Sequence, residues 1–145
     1  MLPEDTDLLN GLCSTLKEIG VTTAGIRLSG GSFKQFSYYT GYEDPTGYRV
    51  ATFSPPHFPL CPVHMQIANI VIGLEEDDGP RAHCHAIFLD AEGQTLGGHL
   101  IPGECIIGPG GMAVWATSSG SVDLKAHHDP ETNFPLFHPL RKASK

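Results

Sequence analysis

After Gly20 the sequence abandons helical periodicity and breaks into short β-type runs punctuated by glycine and proline. Before that point Leu8, Leu9, Leu12, Cys13, Leu16 and Ile19 fall on one helical face, with Asp5 or Thr6 placed to cap the start and Gly20 to stop it. Seventeen glycines and twelve prolines make up a fifth of the 145 residues, which is high for a helical bundle and suits a strand-rich fold with many turns. Candidate strands are Ala24 to Leu28, Phe33 to Tyr42, Tyr48 to Phe53, Val63 to Leu74, Ala82 to Asp90, Gln94 to Ile101, Met112 to Thr117 and Val122 to Ala126. Pro55, Pro56 and Pro59 make Ser54 to Pro59 a loop, because each removes a ladder donor. The segment from Asp129 through Phe134-Pro135-Leu136-Phe137-His138-Pro139 reads as irregular, with aromatics that dock on the sheet or on a neighbouring subunit. One helix and a large, mainly antiparallel sheet predict an α+β fold.

The length supports a single domain, residues 1–140, followed by a short basic tail at 141–145. The acidic N-terminus has no apolar run of the signal-peptide kind, and Ile67 to Leu74 is far too short to span a membrane. Both point to a cytoplasmic chain without membrane partners. Cys13, Cys61, Cys84 and Cys105 are widely spaced and read as buried thiols, not as disulfides or a cysteine zinc site. Glu75-Glu76-Asp77-Asp78-Gly79-Pro80 reads as a loop of like charges. The formal net charge of −7 weighs against strong nonspecific affinity for nucleic acid.

The chemically dense segment runs from His83 to Leu100. His83 and His85 are two apart on a strand, so both rings face one side and Cys84 faces the other. Asp90 to Gln94 reads as a three-residue hairpin loop with Gly93 in the left-handed position. If Asp90 pairs with Gln94, His99 lies directly across from His85. Three imidazoles then converge, and Gly97 and Gly98 leave space beside them for an ion, water or ligand. Three neutral imidazoles are the ligand set of an open zinc site, and another divalent transition metal suits them too. His127 and His128 face opposite ways, so at most one can add a fourth ligand. His57 and His138 sit in proline-rich segments and read as structural.

The span from His83-Cys84-His85-Ala86 through Gly97-Gly98-His99-Leu100 to Gly103 resembles the signature of the plants-and-prokaryotes-conserved (PPC or PCC) domain family. The similarity extends to Val63-His64-Met65-Gln66-Ile67-Ala68-Asn69-Ile70, to the opening helix and to Ser29-Gly30-Gly31-Ser32-Phe33. It covers roughly residues 5 to 135. The resemblance implies an antiparallel sheet of about seven strands, a homotrimer, and metal ligation by His83, His85 and His99 as in bacterial three-histidine members. The wider superfamily is similar to acetolactate decarboxylase, and many bacterial members carry a provisional DNA-binding label. The chain departs from the pattern in having no AT-hook and in carrying Gly108-Pro109-Gly110-Gly111-Met112 where members often place an acidic residue.

Two classes of function follow. One is a metal-binding regulatory or interaction module, with DNA or a regulatory protein as partner; a trimer would carry roughly −21, which argues against direct, tight DNA contact. The other is a zinc-dependent lyase acting on a small oxo-acid bound at the metal. That chemistry needs a proton donor and an anion-binding cation, for which Glu104, His64 and Arg81 are the nearest candidates.

Overall fold

Leu8, Leu9, Leu12 and Leu16 bury one face of α1 (Leu8–Glu18), the one helix among the described residues, against a sheet. Each such burial stabilises the fold by about 1.5–3 kcal/mol. The computed structural model that shows this describes residues 1–142. The helix is capped by Asp7 and not by Asp5 or Thr6. Its Oδ1 accepts the Asn10 N–H at 2.8 Å, while its Oδ2 accepts the Cys105 N–H at 3.0 Å, so one carboxylate serves the helix start and a distant segment together. Ile19, expected on the buried face, is 66% exposed, because the helix stops at Glu18 and Gly20 turns the chain at φ 73°.

The strands are β1 (Ala24–Leu28), β2 (Ser32–Gln35), β3 (Tyr38–Tyr39), β4 (Gly41–Tyr42), β5 (Thr52–Phe53), β6 (Val63–Leu74), β7 (Pro80–Leu89), β8 (Thr95–Leu100), β9 (Ile106–Ile107), β10 (Trp115–Thr117), β11 (Val122–Asp129) and β12 (Phe134–Arg141). Ten form one sheet, and β4 pairs with β5 separately. This exceeds the seven or so expected, for local reasons. The run from Phe33 to Tyr42 breaks into three, because Phe36 and Ser37 turn into the core between β2 and β3. Tyr48 to Phe53 keeps only its last two residues as strand, since Asp44 organises the preceding turn by accepting the Thr46 and Arg49 N–H groups. Phe134 to Arg141 is a strand, not an irregular segment. It pairs only with β11, and Pro135 and Pro139, four apart, share one phase of that edge strand, where a missing N–H costs no ladder bond.

The sheet runs β10-β1-β6-β7-β8-β3, antiparallel at every step. β2 and β9 extend it at the other end of β6. The β11–β12 hairpin joins β6 through one parallel bridge, Lys125 to Leu74. Gly73 permits that approach: a Cβ there would stand 2.5 Å from Phe137 Cε1 and 2.6 Å from the Leu124 carbonyl oxygen. The loop Glu75 to Asp78 is tied down by cations, Glu75 by Arg81 and Asp78 by Lys125.

Alternation along β7 decides what each face carries. Cys84, Ala86 and Phe88 point into the core with Ile26, Ile70 and Ile72, leaving Arg81, His83, His85 and Ile87 on the outer face. The four cysteines are free, but only Cys84 and Cys105 are buried as expected; Cys13 is half-buried and Cys61 exposed. Of the basic tail, Arg141 ends β12 and Lys142 bonds Asp123 at 3.1 Å and Thr22 at 2.9 Å; residues 143–145, with Lys145, lie outside the described residues. No helix among the described residues is long and apolar enough to cross a membrane.

Candidate metal centre

Asp90 sets the register on which the site depends. Its N–H donates to the Gln94 carbonyl at 3.2 Å, and its nearly buried carboxylate accepts the Glu92 and Gln94 N–H groups at 3.0 and 2.9 Å. Gly93 takes φ 78°, the left-handed turn position. From this loop the ladder runs Leu89 to Thr95, Ile87 to Gly97 and His85 to His99. The pairing is the expected one. A slip of one residue would send His99 to the opposite face.

His83, His85 and His99 form a three-member cluster in which each contributes a ligand atom within 4.8 Å of the others. Ring centroids are 4.8 Å apart for His83–His85, 4.8 Å for His83–His99 and 5.2 Å for His85–His99. Three imidazoles on one tetrahedral ion, at metal–nitrogen distances of about 2.0–2.1 Å, place their centroids on the order of 5 Å apart. His83 Nε2 and His85 Nε2 stand 3.0 Å from each other, and His99 Nδ1 is buried with no hydrogen-bond partner. Burial, then His83, His85 and Arg81, pushes His99 down to about 4. Burial, then His85 and Arg81, lowers His83 from its ordinary value. Neutral rings with an unpaired buried nitrogen fit a divalent transition ion, which needs lone pairs and not protons.

The two sides of the cluster differ. On one, Tyr39 lies opposite His99 across β3–β8, and the Phe53 ring sits 5.1 Å from that of His99. Phe53 in turn meets Tyr39 at 5.6 Å and Phe134 at 6.2 Å, and the Arg49 guanidinium lies 5.1 Å over Phe134. On the other, β7 runs on past the end of β8, and a cleft of about 590 Å³ opens between Pro80–Ala82, α1 and Pro102, with Arg81 and His99 on its wall. Arg81 is held there by both Glu75 oxygens, at 3.2 and 3.1 Å.

The remaining candidates divide. Arg81 shares the outer face with His83, two residues away. His64 shares that face too but pairs with Leu89, four residues from His85 and about 13 Å along the strand. Glu104 accepts a hydrogen bond from Gln35 Nε2 at 3.1 Å and does not join the cluster. Gly97 lies on the histidine face, whereas Gly98 does not line the site. It faces the core side, where a Cβ would stand 2.3 Å from the Tyr39 carbonyl oxygen and 2.6 Å from Tyr38 Cδ2, so its bareness lets β3 dock. Neither His127 nor His128 joins the cluster: the His127 ring lies 6.0 Å from that of His138 on the β11–β12 hairpin. His57 stacks on Tyr38 and bonds Ser54 at 2.9 Å.

Sequence reasoning missed Tyr39, Phe53 and Phe134. Each belongs to a segment distant in sequence from the hairpin, and no local spacing signals their meeting.

The family model of the Plants and Prokaryotes Conserved (PCC) domain matches residues 1–117, so the β11–β12 hairpin lies beyond that match. No curated protein sequence matches. Among solved structures, a protein of Ralstonia eutropha with a provisional DNA-binding name aligns at TM-score 0.74 and 22% identity, covering 94% of this chain and 87% of its own. A plant- and prokaryote-conserved protein of Pyrococcus horikoshii aligns at TM-score 0.71 and 20% identity, covering 96% and 88%. A metal-containing protein of Archaeoglobus fulgidus aligns at TM-score 0.69 and 15% identity, covering 94% and 89%. At such identities the likeness is one of fold.

Proposed function

The chain belongs to the Plants and Prokaryotes Conserved (PCC) domain family, and from that premise we infer that it is a metal-binding cytoplasmic module, working as a homotrimer in regulation or protein interaction. The observation that supports this reading is the His83–His85–His99 cluster, with ring centroids 4.8 to 5.2 Å apart and the unpaired Nδ1 of His99. Zinc suits three imidazoles, with other divalent transition ions next. The net charge of −7 sets direct, tight DNA binding outside the reading. A mobility-shift titration at 50 and 200 mM salt tests that part, and a salt-sensitive shift at submicromolar protein would overturn it. Light scattering tests assembly, the expected mass being three times 15.6 kDa.

A second reading is favoured by one observation, the cleft of about 590 Å³ that shares His99 and Arg81 with the cluster's rim. In it the protein is a lyase for a small oxo-acid, and a divalent ion supplies Lewis-acid polarisation of a carbonyl. Arg81 would receive the substrate carboxylate, exchanging part of its hold on Glu75. Of the two candidate proton donors, His64 lies about 13 Å along the strand from His85 and Glu104 accepts a hydrogen bond from Gln35. Carbon dioxide release from acetolactate by metal-loaded protein, lost in His99→Ala, would favour the lyase; no release favours the module.

A further inference from the structure

The histidine cluster has one open side and one side built from aromatic rings carried by unrelated segments. Phe53 lies 5.1 Å from His99, inclined at 42°, and completes a file of rings with Tyr39 and Phe134. Its position is fixed from two directions. β5 pairs with β4, placing Gly41 opposite Phe53. The strap between them, residues 43–51, is tied to the tip of the β11–β12 hairpin: Asn133 Nδ2 donates to the Tyr48 carbonyl at 2.9 Å, and the Val50 N–H to the Thr132 carbonyl at 3.4 Å. Asn133 itself takes φ 58°, a conformation asparagine tolerates better than most residues. Phe53 is 40% exposed, so it is not a core residue retained for the fold; its contacts are with rings beside the cluster.

We propose that Phe53, braced by the strap and the hairpin tip, is a positioning residue of the metal centre that holds the His99 ring and closes one side of the bound ion. The proposal rests on the metal-binding reading above. A ring held on one face keeps its nitrogen aimed without help from the ion, and an apolar wall keeps water and competing ligands off that side. Hydrogen-bonded partners that orient a metal-binding imidazole are worth on the order of 10–100-fold in affinity, and a ring contact such as that of Phe53 is set at the low end of that range.

The test uses full-length protein loaded with cobalt(II) alone, with EDTA as the competing chelator. Phe53→Ala should release the ion about ten-fold faster than wild type or more, with a shifted visible absorption band, while Phe53→Tyr keeps the wild-type rate and band. Asn133→Gly keeps the left-handed backbone and removes the side-chain tie to Tyr48, leaving the Val50–Thr132 bond in place. It should give an intermediate rate, and it carries the test should Phe53→Ala fail to fold. A Phe53→Ala protein with wild-type release and an unchanged band, beside a wild type that loads cobalt, would overturn this inference alone. A wild type that takes up no cobalt would overturn the metal-binding reading and this one with it.

Discussion

His85 and His99 face each other across the β7–β8 ladder with ring centroids 5.2 Å apart and planes at 84°, although fourteen positions separate them in the chain. The carboxylate of Asp90 makes that meeting reproducible. It caps two backbone N–H groups of the connecting loop while nearly buried. Asp90→Ala should therefore lower stability by about 1–3 kcal/mol, since those donors lose a charged acceptor. It should also weaken metal uptake although it touches no ligand. Urea unfolding and metal titration on the same variant check both effects; full stability with intact uptake would contradict the role.

The two glycines beside the cluster should behave differently. Gly98→Ala puts a methyl group 2.3 Å from a backbone oxygen of β3, where no rotamer relieves the clash. Overpacking of this kind costs about 1–3 kcal/mol. Gly97→Ala meets its nearest backbone atom at 3.1 Å and should be milder. Comparing their thermal midpoints tests whether Gly98 serves strand docking; equal effects would contradict it.

Acid should destabilise the metal-free protein partly through His99. In the folded chain burial, with the neighbouring His83, His85 and Arg81, pushes this ring down to about 4 from its ordinary 6.5. Between those values the unfolded chain binds more protons, so stability falls as pH drops from about 6.5 toward 4 and is unaffected by this group above that range. His99→Gln should flatten that part of the profile relative to wild type. Urea midpoints at pH 7.5, 5.5 and 4.5 supply the comparison, and parallel profiles would contradict it.

Thiol reactivity should divide along burial. Burial pushes Cys84 and Cys105 up to about 12; it raises Cys61 as well, but that side chain is exposed and open to reagent. Because the thiolate is the nucleophile, native protein at pH 8 should react quickly with an aromatic disulfide reagent at Cys61 and not at Cys84 or Cys105. Peptide mapping identifies the modified residues; rapid labelling of Cys84 would contradict its place under α1.

How much of this was legible depends on distance along the chain. The histidine register could be derived because all its determinants, Asp90, Gly93 and the two-residue alternation, lie within one hairpin. The helix was legible for the same reason, although its cap moved to Asp7 because the Cys105 N–H ninety-eight positions away shares that carboxylate. Strand β12 was hidden by Pro135 and Pro139, whose cost vanishes only once β12 is known to be an edge. Gly98 looked like space for a ligand; its neighbour is Tyr38, brought by a pairing no local pattern announces. Phe53 was unreadable for that reason too, its partners coming from β3, β8 and β12.

The central claim is that His83, His85 and His99 hold a divalent transition ion. Elemental analysis of protein purified without a histidine tag tests it most directly, with the His83→Ala/His99→Ala double variant prepared in parallel. The account predicts zinc, or a related divalent ion, bound to wild type and absent from the double variant. A metal-free wild type, together with a double variant that takes up added zinc equally well, would contradict it.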